Sequence, residues 1–245
     1  ADIRNIVNEA ALWAARQEKS KVDMADFDYS RDKVLMGAKR EEVLSEKEKE
    51  KTAYHEAGHT LVAWKSCDSN RVHKVTIIPR GRALGSTQIV PSEDRLSMSE
   101  SELRGQLIVT LGGRAAESLI YQETTVGAEN DLERATSIAR RMVTHWGMSE
   151  RLGAVSYKIS DEDPFLGREI HRQRMFSEHT MELIDEEVAK ILHGAALEAG
   201  KLLTEHRDQL EKLTKALLES EELNEDEITE LIGPPIHETK ADPSV

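Results

Sequence analysis

Tyr54-His55-Glu56-Ala57-Gly58-His59 is the stretch on which the reading of this sequence turns. On a helix, residues four apart share a face, so the imidazoles of His55 and His59 can address one ion. Glu56 lies one step round, close enough to hold a water without binding the ion itself. The surrounding segment is helical on independent grounds. Ser45 and Glu48 form a capping-box pair, so a helix is predicted to start there and run through Tyr54 to about Lys65. Leu61, Val62 and Trp64 give that helix an apolar face. In this setting the pattern predicts zinc held by His55 and His59. Glu56 would activate zinc-bound water for attack on a carbonyl and then pass the proton on.

A catalytic zinc takes three protein ligands and keeps one position open. The extended pattern with a third His fails, because Lys65 and Val62 occupy the positions where His and Gly would be required. The remaining candidates are Glu117, Glu129, Asp131, His73 and His145. Asp131 has one advantage: it opens a predicted helix, where exposed amides favour a carboxylate. Spacing alone leaves the choice open. Gly58 costs its helix about 1 kcal/mol relative to alanine, which points to another element packed closely on the metal helix. Gly112-Gly113 raises the same expectation.

Working outward, Ile3, Ile6, Val7, Ala10, Ala11 and Ala14 mark a helical face between Asp2 and about Gln17. A second helix is predicted after Asp23, ending near Gly37, with Met24, Phe27 and Val34 to bury. The charge run from Lys39 to Lys51 reads in part as a linker. Val72 to Ile78 is β-branched and stops at Pro79, a strand; Ser86 to Val90, closed by Pro91, is a second one, at an edge. Ser99 with Glu102 caps a helix through Leu111, continued by Arg114 to Ile120, and Asp131 opens another to Trp146. From Phe176 to Leu223 the pattern is helical throughout. A short helix spans Glu225 to Ile232, and residues 233–245 read as a flexible tail. The fold class is mainly α with a small β-sheet.

The 33 basic and 46 acidic side chains leave a net charge of −13, which repels phosphate backbones and argues against nucleic acid as a partner. The single cysteine, Cys67, suits a reducing compartment and reads as a small apolar residue rather than a ligand. His171, His179, His193 and His206 read as ordinary surface or packing residues. The chain carries no apolar run of the roughly 18 to 20 residues a membrane span needs. It opens inside a helix without an initiator Met, and so reads as a soluble part of a longer protein.

Five motifs follow one another in order: His55-Glu56-Ala57-Gly58-His59, Gly81 to Thr87, Gly112 to Glu117, Gly127 to Leu132 and Met142 to Ser149. Together they resemble the peptidase domain of the FtsH-type, ATP-dependent membrane metalloproteases. Asn5-Ile6-Val7-Asn8-Glu9-Ala10-Ala11 is similar to the end of that family's AAA+ module. The resemblance implies residues 1–37 as the last helices of that module, 38–232 as a zinc metallopeptidase domain, and Asp131 as the third ligand. It further implies that Leu84, Gly85, Ser86, Thr87 and Gln88 pair with the substrate backbone. The family form is a homo-hexamer that degrades unfolded membrane and soluble proteins. Upstream segments would anchor it with the peptidase on the cytoplasmic side, most simply at a bacterial inner membrane. No G-x-x-x-x-G-K-[ST] loop occurs in this sequence, so ATP would bind only in a domain outside it. The competing reading is a non-catalytic ring-assembly module with a structural zinc. The Glu between the two His disfavours it, since a structural site has no use for that residue.

Overall fold

A computed structural model describes residues 2–40, 44–66, 70–81, 83–91, 97–157 and 176–236. Cys67, Arg82, His171 and residues 237–245 lie outside the described residues. The chain begins with two packed helices, α1 (Asp2–Arg16) and α2 (Met24–Met36), joined by a stacking of Trp13 on Tyr29 at 3.8 Å between centroids. Asp23 caps α2 through a reciprocal box with Asp26. The burial expected of α2 holds only in part, with Phe27 and Val34 half-buried. Met24 is 74% exposed, whereas Asp26, Ser30 and Asp32 are buried. The reason lies in what α2 meets: Asp32 faces Lys74 and Gln88 of the sheet, at 3.2 and 3.3 Å, rather than an apolar core.

After α2 the chain is docked at Arg40, whose amide donates to the Pro79 carbonyl at 2.9 Å. Helix α3 (Glu46–Ser66) then opens on the predicted box. The Ser45 amide donates to the Glu48 carboxylate at 3.0 Å and the Glu48 amide to the Ser45 hydroxyl at 3.3 Å. From Glu56 to Trp64 every residue is buried, the mark of a helix enclosed on all sides.

Strands β1 (Asn70–Thr76) and β2 (Ser86–Pro91) run antiparallel, with Val75 opposite Thr87, and the register shifts between Val72 and Lys74. Beyond them come α4 (Glu100–Thr110), α5 (Gly112–Tyr121), a 3-10 turn at Val126–Ala128, α6 (Glu129–Thr144), α7 (Glu178–Glu205) and α8 (Arg207–Ser220). The run expected to be helical through Leu223 ends sooner. Glu222–Asn224 forms a third strand, β3, whose Leu223 pairs with Val75. Asn224 at once caps α9 (Glu225–Ile232) with Glu227. The strand order is β2-β1-β3, so β2 lies at the edge, as its closing proline suggested.

The core forms where α5, α7 and α8 close over α3, with Leu61, Trp64, Leu107, Met142, Leu203, Leu210, Leu213 and Leu217 almost wholly buried. On α7 the buried positions Ile184, Val188, Ile191, Ala195, Ala199 and Leu203 recur every three or four residues. Its acidic residues form the outer face except Glu187, which is buried and accepts from the Ser149 hydroxyl at 2.8 Å. The tail expectation is corrected at its start. The Trp64 indole donates to the Gly233 carbonyl at 2.9 Å and Pro235 is buried, so Gly233 packs against the end of α3.

Candidate metal centre

The helix carrying His55, Glu56 and His59 approaches α5 unusually closely. A Cβ added to Gly58 would lie 2.6 Å from the Gly112 carbonyl oxygen and 2.6 Å from the Ala116 Cβ. A Cβ on Gly113 would lie 2.6 Å from the Nε2 atoms of both His55 and His59. Both glycine expectations are therefore met by close packing. The absent side chains let α5 lie against the helix that carries the imidazoles.

Each imidazole is oriented through its other nitrogen. His55 Nδ1 donates to Glu117 Oε1 at 2.6 Å, and His59 Nδ1 donates to the Val109 carbonyl at 2.8 Å. Glu117 is fixed in turn by the Thr125 amide at 2.8 Å. With the protons held on Nδ1, the lone pairs of both Nε2 atoms face the same point. Asp131, in the first turn of α6, brings Oδ2 to 3.1 Å from each of them, and the two Nε2 atoms are themselves 3.1 Å apart. Three acceptors in so regular a triangle suit a shared cation. A tetrahedral zinc with bonds of about 2.0–2.1 Å has ligand-to-ligand edges of about 3.3–3.4 Å, close to this triangle. The donor set fits a divalent ion of that kind and leaves one position open. Among the described residues, no other group of three His, Cys, Asp or Glu side chains converges in this way.

The electrostatics tell the same story. Burial disfavours a charged His55, yet the hydrogen bonds to Asp131 and Glu117 and the charge of Glu56 outweigh it, and its pKa is pushed up to about 10. For Asp131, burial is overcome by both imidazoles, which hold its carboxyl well below the usual carboxylate range. Glu117 is also lowered: burial opposes its charge, but His55 and the Thr125 amide prevail. Glu56 moves the other way, because burial raises its pKa against the opposing pull of His59, His55 and Thr87. A raised imidazole between two lowered carboxylates means that the cluster favours positive charge at its centre.

Of the five third-ligand candidates, the fold brings Asp131 to both Nε2 atoms and Glu117 behind His55. Glu129 and His145 are exposed, and His73 lies at the irregularity of β1, so none of these three joins the cluster. Glu56 is 6% exposed and turns its carboxylate to β2, where the Thr87 hydroxyl donates to Oε2 at 2.8 Å. Of the five residues expected to meet substrate, Ser86, Thr87 and Gln88 open β2, whereas Leu84 and Gly85 form the bend before it. Leu84 is 39% exposed. Gly85 packs where a Cβ would fall 2.8 Å from Glu56 Oε1. The Val109 carbonyl and the Thr125 amide had no sequence signal, because backbone groups carry none.

Two imidazoles and a carboxylate aimed at one point, with a buried glutamate alongside, are the working parts of a metal-dependent hydrolase. The profile of peptidase family M41 matches residues 42–231, and the chain belongs to that family. It is 75% identical over 242 residues to the ATP-dependent zinc metalloprotease FtsH 1 of Rhodopirellula baltica, covering 99% of this chain and 36% of that protein. It is 50% identical over 234 residues to FtsH 3 of Symbiobacterium thermophilum, covering 95% of this chain and 37% of the relative. FtsH 4 of Sorangium cellulosum is 52% identical over 237 residues, covering 95% of this chain and 36% of that protein. The chain thus spans little more than a third of the length of these relatives. Among the described residues, no helix is long and apolar enough to cross a membrane.

Proposed function

We propose that this chain is the proteolytic part of an ATP-dependent zinc metalloprotease, with His55, His59 and Asp131 as the zinc ligands and Glu56 as the general base. The observation that carries the reading is the triangle of three acceptor atoms, each 3.1 Å from the others, beside a buried glutamate. When bound, the ion supplies Lewis acidity toward the scissile carbonyl and lowers the pKa of water. Glu56 accepts a proton from the attacking water as the oxygen–carbon bond forms. It returns that proton to the amide nitrogen as the carbon–nitrogen bond breaks, which balances the hydrolysis. Glu117 and the Val109 carbonyl keep both imidazoles in the tautomer the task requires.

Strand β2 has no partner on its outer side among the described residues. An extended polypeptide adding to that edge, with Leu84 to Gln88 alongside it, would be held through main-chain hydrogen bonds that are indifferent to side chains. Unfolded membrane and soluble proteins are the substrates this favours. Residues 1–37 are the last helices of an AAA+ module and 38–232 the peptidase domain. The whole protein is a homo-hexamer anchored in a membrane by other segments, with the peptidase on the cytoplasmic side. A purely structural zinc is disfavoured by the open position and by Glu56.

The test is cleavage of quenched, fluorescein-labelled unfolded casein by the zinc-loaded chain without ATP, beside Glu56→Gln. Cleavage that requires zinc and falls at least a hundredfold in the variant is expected. Equal rates with and without Glu56 would refute the assignment of the base.

A further inference from the structure

Strand β2 presents alternate residues to opposite faces. Gln88 faces α2, donating to Asp32, whereas Thr87 faces α3. Three oxygens lie around the Thr87 hydroxyl: Glu56 Oε2 at 2.8 Å, the Glu56 carbonyl at 3.2 Å and the Thr60 hydroxyl at 3.4 Å. A hydroxyl has a single proton to give. The carboxylate is both the nearest acceptor and the charged one, so the proton goes there. The fully buried Thr60 can donate to Thr87 in turn, which orients the whole chain of hydroxyls toward Glu56. Among the described residues, Thr87 is the one hydrogen-bond donor to the Glu56 carboxylate. On the other side Oε1 lies beside Gly85, 2.8 Å from where a Cβ on that residue would fall.

We propose that Thr87, placed by the edge strand, is the positioning residue of the general base. Its hydroxyl fixes the Glu56 rotamer and occupies one carboxylate oxygen, leaving the other to face the water. This rests on the reading of Glu56 as the base and adds to it. The strand expected to hold the substrate backbone also holds the catalytic carboxylate, so chain docking and base alignment share one element. Gly85 belongs to the same device. Its missing side chain leaves free the space beside Oε1 that a Cβ, 2.8 Å away, would take.

Kinetics of zinc-loaded Thr87→Val and Thr87→Ser, with Glu56→Gln and the Glu56→Gln/Thr87→Val double variant, test it on unfolded fluorescein-labelled casein. Valine keeps the shape and the strand preference but lacks the hydroxyl. The expected result is a 10- to 100-fold lower kcat for Thr87→Val, with KM within threefold of wild type. Thr87→Ser should recover to within threefold. Zinc affinity by chelator competition should stay within twofold, and Thr87→Val should add less than a twofold loss once Glu56 is Gln. A raised KM with unchanged kcat would overturn the proposal, because it would make Thr87 a substrate contact. So would a serine variant as impaired as valine, or equal losses with and without Glu56, either of which leaves Glu56 as the base. Wild-type kcat in Glu56→Gln would instead remove the base assignment itself, and the proposal with it.

Discussion

The contact between α3 and α5 leaves no room for a side chain at Gly58, whereas a glycine elsewhere has room to spare, and the two should respond to alanine with opposite signs. In Gly58→Ala the new methyl would lie 2.6 Å from both the Gly112 carbonyl oxygen and the Ala116 Cβ, about 0.8 Å short of ordinary van der Waals contact. Neither obstacle is the end of a flexible side chain, so α5 itself must retreat. Overpacking of this kind costs about 3 kcal/mol at the upper end of its range. Relief of the helical glycine returns about 1 kcal/mol, which leaves a net loss of about 2 kcal/mol. Gly194, exposed on α7, has nothing within 4 Å of the same added atom. Gly194→Ala should therefore stabilise by about 0.5–1 kcal/mol. Urea unfolding followed by far-ultraviolet circular dichroism separates the two. With a slope of about 2 kcal/mol per M, Gly58→Ala should lower the midpoint by about 1 M and Gly194→Ala should raise it slightly. A Gly58→Ala midpoint equal to or above wild type would refute the reasoning, since the helices would then have room to spare.

Two further predictions concern charge. Because the pKa of His55 without an ion is pushed up to about 10 and binding needs a neutral imidazole, zinc uptake at pH 7–8 should release close to one proton. Apparent affinity should therefore rise with pH up to about 10, which calorimetry in buffers of different ionisation heat will measure. In the zinc-free protein the sign is reversed. The stability contributed by protonated His55 is complete below its unfolded pKa of about 6.5 and is lost as pH rises toward 10. Asp32, whose charge is opposed by burial but favoured by Lys74, Gln88 and Arg31, has a lowered pKa. Its contribution holds above about pH 4 and fades on acidification. Asp32→Asn removes the buried acceptor of Lys74 and Arg31, which keep Glu222 and Asp28, and should cost about 1–2 kcal/mol. Limited proteolysis should then cut between α2 and α3 faster than in wild type.

Much of the chain was legible because local chemistry and tertiary structure agree. The capping boxes at Ser45 and Ser99, the two strands ending at prolines, and the spacing of His55 and His59 each depend on residues within one turn or one strand. The failures have a common cause in distant partners. Met24 was expected to be buried because it is apolar. The position of Asp32 against Lys74, however, was fixed by a sheet 42 residues further on. Glu222 to Asn224 had no room for a strand signal inside an acidic helical pattern, and pairs only because β1 offers an edge. The residue completing the acceptor triangle lies 72 positions beyond His59. Spacing could not choose it, although family resemblance did. Thr87 had a reading as a substrate contact but none as a partner of Glu56. That contact exists only when the strand lies across the helix.

The outer edge of β2, which pairs with no strand among the described residues, has a consequence for which proteins can be cut. A strand edge can be completed only by a backbone whose amide and carbonyl groups are still unsatisfied over several consecutive residues. A folded protein has already committed those groups to its own helices and sheets. On the proposed reading, recognition at this edge is therefore a measurement of conformation rather than of sequence. A native domain goes unrecognised whatever its composition, and nearly any chain becomes eligible once it is pulled straight.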